Sequence, residues 1–517
     1  MKLSEIYLGT TDAKNELLTN SPDEIFRFKK LYVVPPALMI EKYINHSKYF
    51  ITGLKGTGKT ALLRYISIIL DEEKRTTSKF ILFKSEVSEE TKKDFTKASR
   101  IEQVIENSAE FDGNDFENVW RWFIYKIISN MMLQGTIEPF QKNGDLSKFH
   151  AIMRSEKHED GKEKKLFSKL IPAIRKGNIE ISKDPKLNLD FDWDSNGNAK
   201  VSFYKIIQEA DSAFQSLQPS VDGINIFFDE LELNFTTKKQ YQRDSRLIRD
   251  LIITIEHINS ISKKNGFKLC LFAAIRSEVL NSVDSLGKEI NKPLTDFGTD
   301  IVWNRAGVDS IQQPLLHIVE QRINNSLEEH GLEKLTPSEL WDSYFPKVIH
   351  NKKPQTYLLH NSWYRPRDIV RLLLSAQESY PEEGIFSVQS LEAIRKKYSS
   401  ACWIELTEEL KAKYKSEEIN GIKNILYGYT QVSSIQDISI HAETISRSSI
   451  ETKSLLEKNE MTEILRDLYR IGVIGNYSND SLSGKKKFRF SFRGDDDILL
   501  NQKIYIHNAL KAHLSID

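Results

Sequence analysis

The stretch Tyr49–Leu63, YFITGLKGTGKTALL, constrains this chain more than any other. It sets Gly53, Gly58, Lys59 and Thr60 in the spacing G-x-x-x-x-G-K-T, entered from the apolar run Tyr49-Phe50-Ile51 and left into Ala61-Leu62-Leu63. A strand, a glycine-rich loop and a helix start in that order are the context a phosphate-binding loop requires. Glycines at 53, 56 and 58 let successive backbone N–H groups turn onto phosphate oxygens, where side chains would obstruct them. A helix starting near Lys59 adds the positive end of its dipole. The pattern therefore assigns Gly53, Gly56, Thr57, Gly58, Lys59, Thr60 and Ala61 to ATP. Lys59 is expected at the β- and γ-phosphates and the Thr60 hydroxyl on Mg2+.

The second half of such a site is expected at Ile224-Asn225-Ile226-Phe227-Phe228-Asp229-Glu230, a near-continuous apolar run ending in two carboxylates. A buried parallel strand of this kind delivers Asp229 to the metal at its C-terminal edge and leaves Glu230 to orient or deprotonate water. Glu232 is the competing carboxylate. A third apolar run, KLCLFAAI from Lys268 to Ile275, ends at Arg276, which a parallel sheet would bring to the same edge as a γ-phosphate sensor. Between the two runs, YQRDSRLIRDLIITIEHINSI has helical periodicity, with Arg243, Arg246 and Arg249 on a surface that would suit a neighbouring subunit.

At 517 residues the chain is too long for one ordinary core. Four parts are expected: a lead-in over 1–47, a P-loop core over 48–310 with an insertion at about 135–220, a helical lid over 311–384, and a helical and winged-helix-like region over 385–517. Lys+Arg and Asp+Glu both number 73, so no global field draws the protein to nucleic acid or an anionic membrane. Cys270 and Cys402 stand alone in apolar or helical settings, as reduced core thiols do. With no long apolar run, a cytoplasmic protein without membrane contact is expected. FENVWRWFIYKIISNMML reads as an amphipathic helix. In the insertion, Arg154 to Lys165 is a mixed-charge stretch, and Leu187, Leu189, Phe191 and Trp193 alternate ahead of Asn196-Gly197, Val201 and Phe203, as in a β-hairpin.

These residues resemble the AAA+/STAND group of P-loop ATPases, and in particular a bacterial family of that group whose loop reads like FITGLKGTGKTAL. The resemblance is carried by that loop, IFFDE, FAAIR, the later DIVWNR and LLHIVEQRI, and WYRPRDIVRLLL, whose Pro366-Arg367-Asp368 is similar to the element that opens a lid helix in origin-recognition-like ATPases. It implies an α/β fold with a P-loop parallel sheet flanked by helices, then a helical lid and a winged-helix-like domain. It also implies a lid contact to nucleotide from Arg367, with Arg365 in reserve. Lys59 and Asp229 are 170 residues apart, longer than a compact core of that group needs, and Ala273-Ala274 replace the polar sensor of many members. Families of this kind are associated with bacterial anti-phage loci.

At the C-terminal end, MTEILRDLYRIGVIGNY places Ile464, Leu465, Leu468 and Ile471 on one helical face, and Phe488, Phe490 and Phe492 then alternate along KKKFRFSFRGD. Lys485, Lys486, Lys487, Arg489 and Arg493 make residues 485–493 the most basic short stretch, with Asp495, Asp496 and Asp497 directly behind. DNA contact and protein docking both remain open readings of this wing. The leading expectation is an ATP-hydrolysing switch, with Glu230, Arg276 and Arg367 acting on Mg2+ and ATP, that self-associates and works through a protein partner or separate effector. The alternatives are a DNA loader or remodeller and a scaffold that binds ATP structurally.

Overall fold

Parallel strands made of continuous apolar residues need helices on both faces, and the unit formed by Met39–Gly53 and Leu62–Asp300 supplies them. The computed structural model describes residues 1–516 apart from 88, 91, 94–95, 97–115, 136, 156–169, 171–173, 176–177, 183–194, 196–197, 234–237, 285–288, 412, 480–485 and 496. Strands β1 (Phe50–Gly53), β2 (Thr76–Leu82), β3 (Ile174–Arg175), β4 (Asn178–Ser182), β5 (Asn198–Ser202), β6 (Gly223–Leu231), β7 (Leu269–Arg276) and β8 (Gly298–Asp300) belong to this unit. Five of them form one parallel sheet in the order β2-β6-β7-β1-β8. Register aligns Gly53 with Arg276 and Leu82 with Asp229, so the C-terminal ends of β1, β2, β6 and β7 share one edge. Every residue of β6 but Glu230 is buried, as is every residue of β7 but Arg276. This is the α/β sheet that the apolar runs predict.

The helix Glu117–Gln134 forms where the spacing places it, but it is not amphipathic: eleven residues from Asn118 to Ser129 are buried on nearly all its sides. Trp120 packs its ring 6.0 Å from Phe228 on the sheet and donates Nε1 to the Leu247 carbonyl at 2.8 Å, so the helix is covered from more than one direction. The long helix Lys238–Lys264 corrects another expectation. Arg249 is buried and pairs with Asp250 at 2.7 Å, and Arg243 pairs with Glu89 at 3.0 Å and Asp244 at 2.7 Å. Acidic neighbours turn two of the three arginines inward; Arg246 stays half-buried.

The inserted segment is closed at its base by Gln141 N to the Gln218 carbonyl at 2.9 Å and Ser220 N to the Pro139 carbonyl at 3.0 Å. It carries two helices, Gly144–Arg154 and Phe203–Gln215, and the antiparallel sheet β3-β4-β5. The second expected hairpin strand is present as β5, which among the described residues pairs with β4, and Phe203 opens a helix instead of continuing the strand. Residues 187–193, expected as the partner, lie outside the described residues, as does most of the mixed-charge stretch.

The other unit comprises Met1–Leu38, Leu54–Ala61 and Ile301–Asp517. Its N-terminal arm is fixed to the helical region: Leu3 N donates to the Glu383 carbonyl at 2.7 Å and Tyr7 N to Ser326 Oγ at 2.8 Å. Helices His317–Glu329, Pro337–Tyr344, Pro354–His360, Pro366–Ser379 and Arg395–Leu410 follow, three of them opened by proline at the first position, where its missing N–H costs nothing. Strand β9 (Val432–Ser433), the helices Ile435–Ser446, Ile450–Lys458 and Met461–Arg470, and strands β10 (Ile474–Asn479), β11 (Lys486–Arg489) and β12 (Lys503–Ile506) close the chain. The antiparallel order β11-β10-β12-β9 behind three helices is winged-helix-like.

Candidate functional site

The loop after β1 has the conformation its glycines predict. Gly56 and Gly58 adopt φ of 81° and 95°, a region that L side chains rarely occupy. A Cβ at 56 would lie in ordinary contact with Arg367 Cβ at 3.4 Å and Arg365 Cδ at 3.5 Å, so it is the backbone conformation that calls for glycine here. Lys59 opens its helix and its Nζ donates to the Leu54 carbonyl at 2.7 Å, which also accepts the Thr57 hydroxyl at 2.9 Å. Outside the loop, Trp303 Nε1 donates to the Thr57 carbonyl at 2.9 Å and Arg367 N to the Gly56 carbonyl at 3.4 Å. Two loop carbonyls are thereby occupied by donors from the helical region. Thr60 and Ala61 are half-buried in the first helical turn.

The two lid arginines differ in what they touch. Arg367 is committed: Nε donates to the Thr11 carbonyl at 2.9 Å and Nη1 to Glu405 at 2.7 Å. Glu405 also takes Arg371 Nη2 and lies 3.8 Å from Lys55 Nζ in the loop. Burial raises the Glu405 carboxyl, but the charges of Arg367, Arg371 and Lys55 outweigh it and hold the group well below the usual carboxylate range. Asp368 goes the other way: burial pushes it up, only partly offset by Arg365. Arg365 itself is 4% exposed, and its Nε and Nη2 make no hydrogen bond among the described residues. A buried guanidinium with two donors unmet, beside a glycine loop, fits an anionic group such as a polyphosphate.

At the strand edge of the other unit, Asp229 is 4% exposed and its Oδ1 accepts the Glu230 N–H at 2.8 Å. Glu230 stands in left-handed backbone, φ 56°, at an irregularity of the β6–β7 register between Phe228 and Leu231. Irregularities of this kind re-aim a side chain and store strain of about 1–3 kcal/mol. Its Oε2 accepts the Ser85 hydroxyl at 2.6 Å. Arg276 reaches the same edge and pairs with Glu232, which also holds Lys84 at 2.9 Å. The competing carboxylate is thus occupied by two cations.

Two residues of this edge went unpredicted. Arg64 stacks 3.7 Å from the Phe80 ring centroid; burial lowers its pKa and the Asp229 charge opposes the shift. Its place four residues after Thr60, on the same helical face, was the available signal. Ser85, beyond β2, had none. Because the Ser85 hydroxyl occupies Glu230 Oε2, the atom that would otherwise be open to water, Ser85→Ala is expected to raise basal ATP turnover several-fold. A fall in turnover would mean instead that Ser85 holds Glu230 in its working position.

The basic wing is less available than its sequence suggests. Lys485 and Asp496 lie outside the described residues; Lys486 and Lys487 are exposed. Arg489 pairs with Asp495 at 2.9 Å, and Arg493 lies over the Tyr364 ring at 4.8 Å. On the preceding helix, Asp467 accepts Lys413 Nζ at 2.8 Å and the Tyr414 hydroxyl at 2.7 Å.

A five-stranded parallel sheet with a glycine loop after β1, followed by a helical lid and a winged-helix-like region, is the fold of a P-loop NTPase. Within it, residues 313–407 match the model of the FunZ-associated C-terminal helical domain, a family defined by helices. No curated protein matches the chain. Among solved structures it is similar to Cdc6p from Pyrobaculum aerophilum, at 10% identity and a TM-score of 0.31 over 95% of each chain, too low a score to add to the topology. No described helix is long and apolar enough to cross a membrane.

Proposed function

We propose that this chain binds and hydrolyses ATP and passes its nucleotide state, through the lid arginines, to the winged-helix-like region and a protein partner. The observation that carries the reading is Arg365, buried beside Gly56 with two guanidinium donors unmet. Backbone N–H groups over Gly53–Thr60 and the Lys59 ammonium hold the phosphates, and Arg365 takes the lid contact. Arg367, engaged by Thr11 and Glu405, positions the loop through Gly56. Thr60 and Asp229 are assigned to Mg2+. Bound Mg2+–ATP supplies the bond to be cleaved and the cation that neutralises its oxygens. Glu230 Oε2 accepts the proton of the attacking water, and Arg276 remains the candidate sensor at that edge.

Protein docking is favoured over DNA loading because Arg489 and Arg493 are engaged inside the chain by Asp495 and the Tyr364 ring. Self-association belongs to the proposal, and a role in anti-phage defence rests on the sequence resemblance alone. Calorimetric titration with Mg2+–ATP tests the core of the reading. Lys59→Ala is expected to weaken binding by about 1.5–3 kcal/mol, the worth of a hydrogen bond to a charged group. Unchanged affinity would remove the loop from the site. Turnover measured with and without duplex DNA then separates the two couplings: strong stimulation would favour the loader.

A further inference from the structure

Among the described residues, four cations, Lys55, Arg365, Arg367 and Arg371, gather around the carboxylates Asp368 and Glu405 at the face of the phosphate loop. All are largely shielded: the side chains of Lys55 and Glu405 are 15% and 13% exposed, and Arg365 and Asp368 are buried. A buried excess of positive charge is costly unless an anion completes it. Glu405 is shared by Lys55, Arg367 and Arg371, and it comes from the helix Arg395–Leu410, outside both the loop and the lid helix.

We propose that Glu405 is the positioning residue of the phosphate site, a resident counter-ion that anchors Arg367 and Lys55 and competes with the phosphates for Lys55. The proposal rests on the reading of the loop as a nucleotide site and extends it to a residue that touches no nucleotide. Two effects of opposite sign follow. Glu405 repels an incoming polyphosphate, so its negative charge lowers affinity. It also fixes Arg367, which holds the Gly56 carbonyl, so its hydrogen bonds favour turnover. Any phosphate that draws Lys55 away also loosens the link between the loop and the helix Arg395–Leu410.

The test is a charge-signed pair of variants, Glu405→Gln and Lys55→Met, titrated with Mg2+–ATP and separately with tripolyphosphate, with thermal unfolding of each unliganded protein as the folding control. Glu405→Gln keeps the shape and removes one charge. It is expected to bind both ligands roughly tenfold more tightly, the scale of one charge acting across about 12 Å in a partly buried site, while kcat falls. Lys55→Met is expected to bind both more weakly, and Glu405→Asp to restore wild-type affinity. A structural role alone would weaken binding in both variants, and that result, or unchanged affinity in Glu405→Gln, would overturn the proposal. Failure of the underlying reading looks different: Lys59→Ala would leave the affinity for both ligands unchanged, whereas failure of the Glu405 proposal alone leaves the loss in Lys59→Ala intact.

Discussion

Glu230→Gln is expected to bind Mg2+–ATP with wild-type affinity and to lose turnover by roughly 10²–10⁴-fold, the usual worth of a positioned general base. The substitution isolates the proton acceptor because little else changes. The glutamine carbonyl can still accept the Ser85 hydroxyl, and the left-handed backbone at φ 56° is set by the strand irregularity, not by the charge. Asp229 keeps its own bond to the Glu230 N–H. Single-turnover hydrolysis beside equilibrium binding reads the two effects separately. Near-wild-type turnover would disqualify Glu230. Glu232 would be a weak successor, since Arg276 and Lys84 both pair with it and occupy its carboxylate oxygens.

How far the sequence carries the structure depends on the range of the forces involved. Strands β6 and β7 were legible because a parallel strand buried on both faces must be apolar throughout, and the loop was legible because its glycines answer to backbone geometry alone. The helix Glu117–Gln134 was legible as a helix, but periodicity marks one face and gives no account of a second layer, so its burial all round was missed. The insertion shows the same limit: alternation identifies a strand without naming its neighbours, and among the described residues β5 pairs with β4. Charge pairing is the least legible. Arg367 and Arg365 are two positions apart and chemically identical, yet Glu405, 38 residues further along, takes one and leaves the other. Arg249 shows the short-range version, turned inward by the adjacent Asp250.

Trp363→Ala is expected to destabilise the chain by about 3–5 kcal/mol, the usual cost of truncating a buried tryptophan. Trp363 is 2% exposed, stacks on His507 with ring centroids 4.0 Å apart, and donates Nε1 to the Gly472 carbonyl at 2.7 Å. Its fit is close enough that a Cβ at Gly472, itself at φ 82°, would come within 2.9 Å of the indole. Trp363 and Tyr364 both stand in left-handed backbone, φ 46° and 52°, at a cost of about 1–3 kcal/mol each that their surroundings must offset. Those surroundings are the winged-helix-like region: Gly472 and His507 for the tryptophan, Arg493 for the tyrosine. The next residue is Arg365. The strained pair therefore joins the arginine at the phosphate loop to the C-terminal region through two rigid aromatic anchors. Trp363→Phe separates stability from coupling, because it keeps a ring and leaves the buried Gly472 carbonyl unmet at about 1–3 kcal/mol. If the anchors set the placement of Arg365, this variant binds Mg2+–ATP more weakly than the wild type although Trp363 touches no phosphate. Wild-type affinity in a less stable Trp363→Phe protein would reduce the pair to a structural prop, and the link from nucleotide to wing would have to run through Glu405 and the helix Arg395–Leu410 instead.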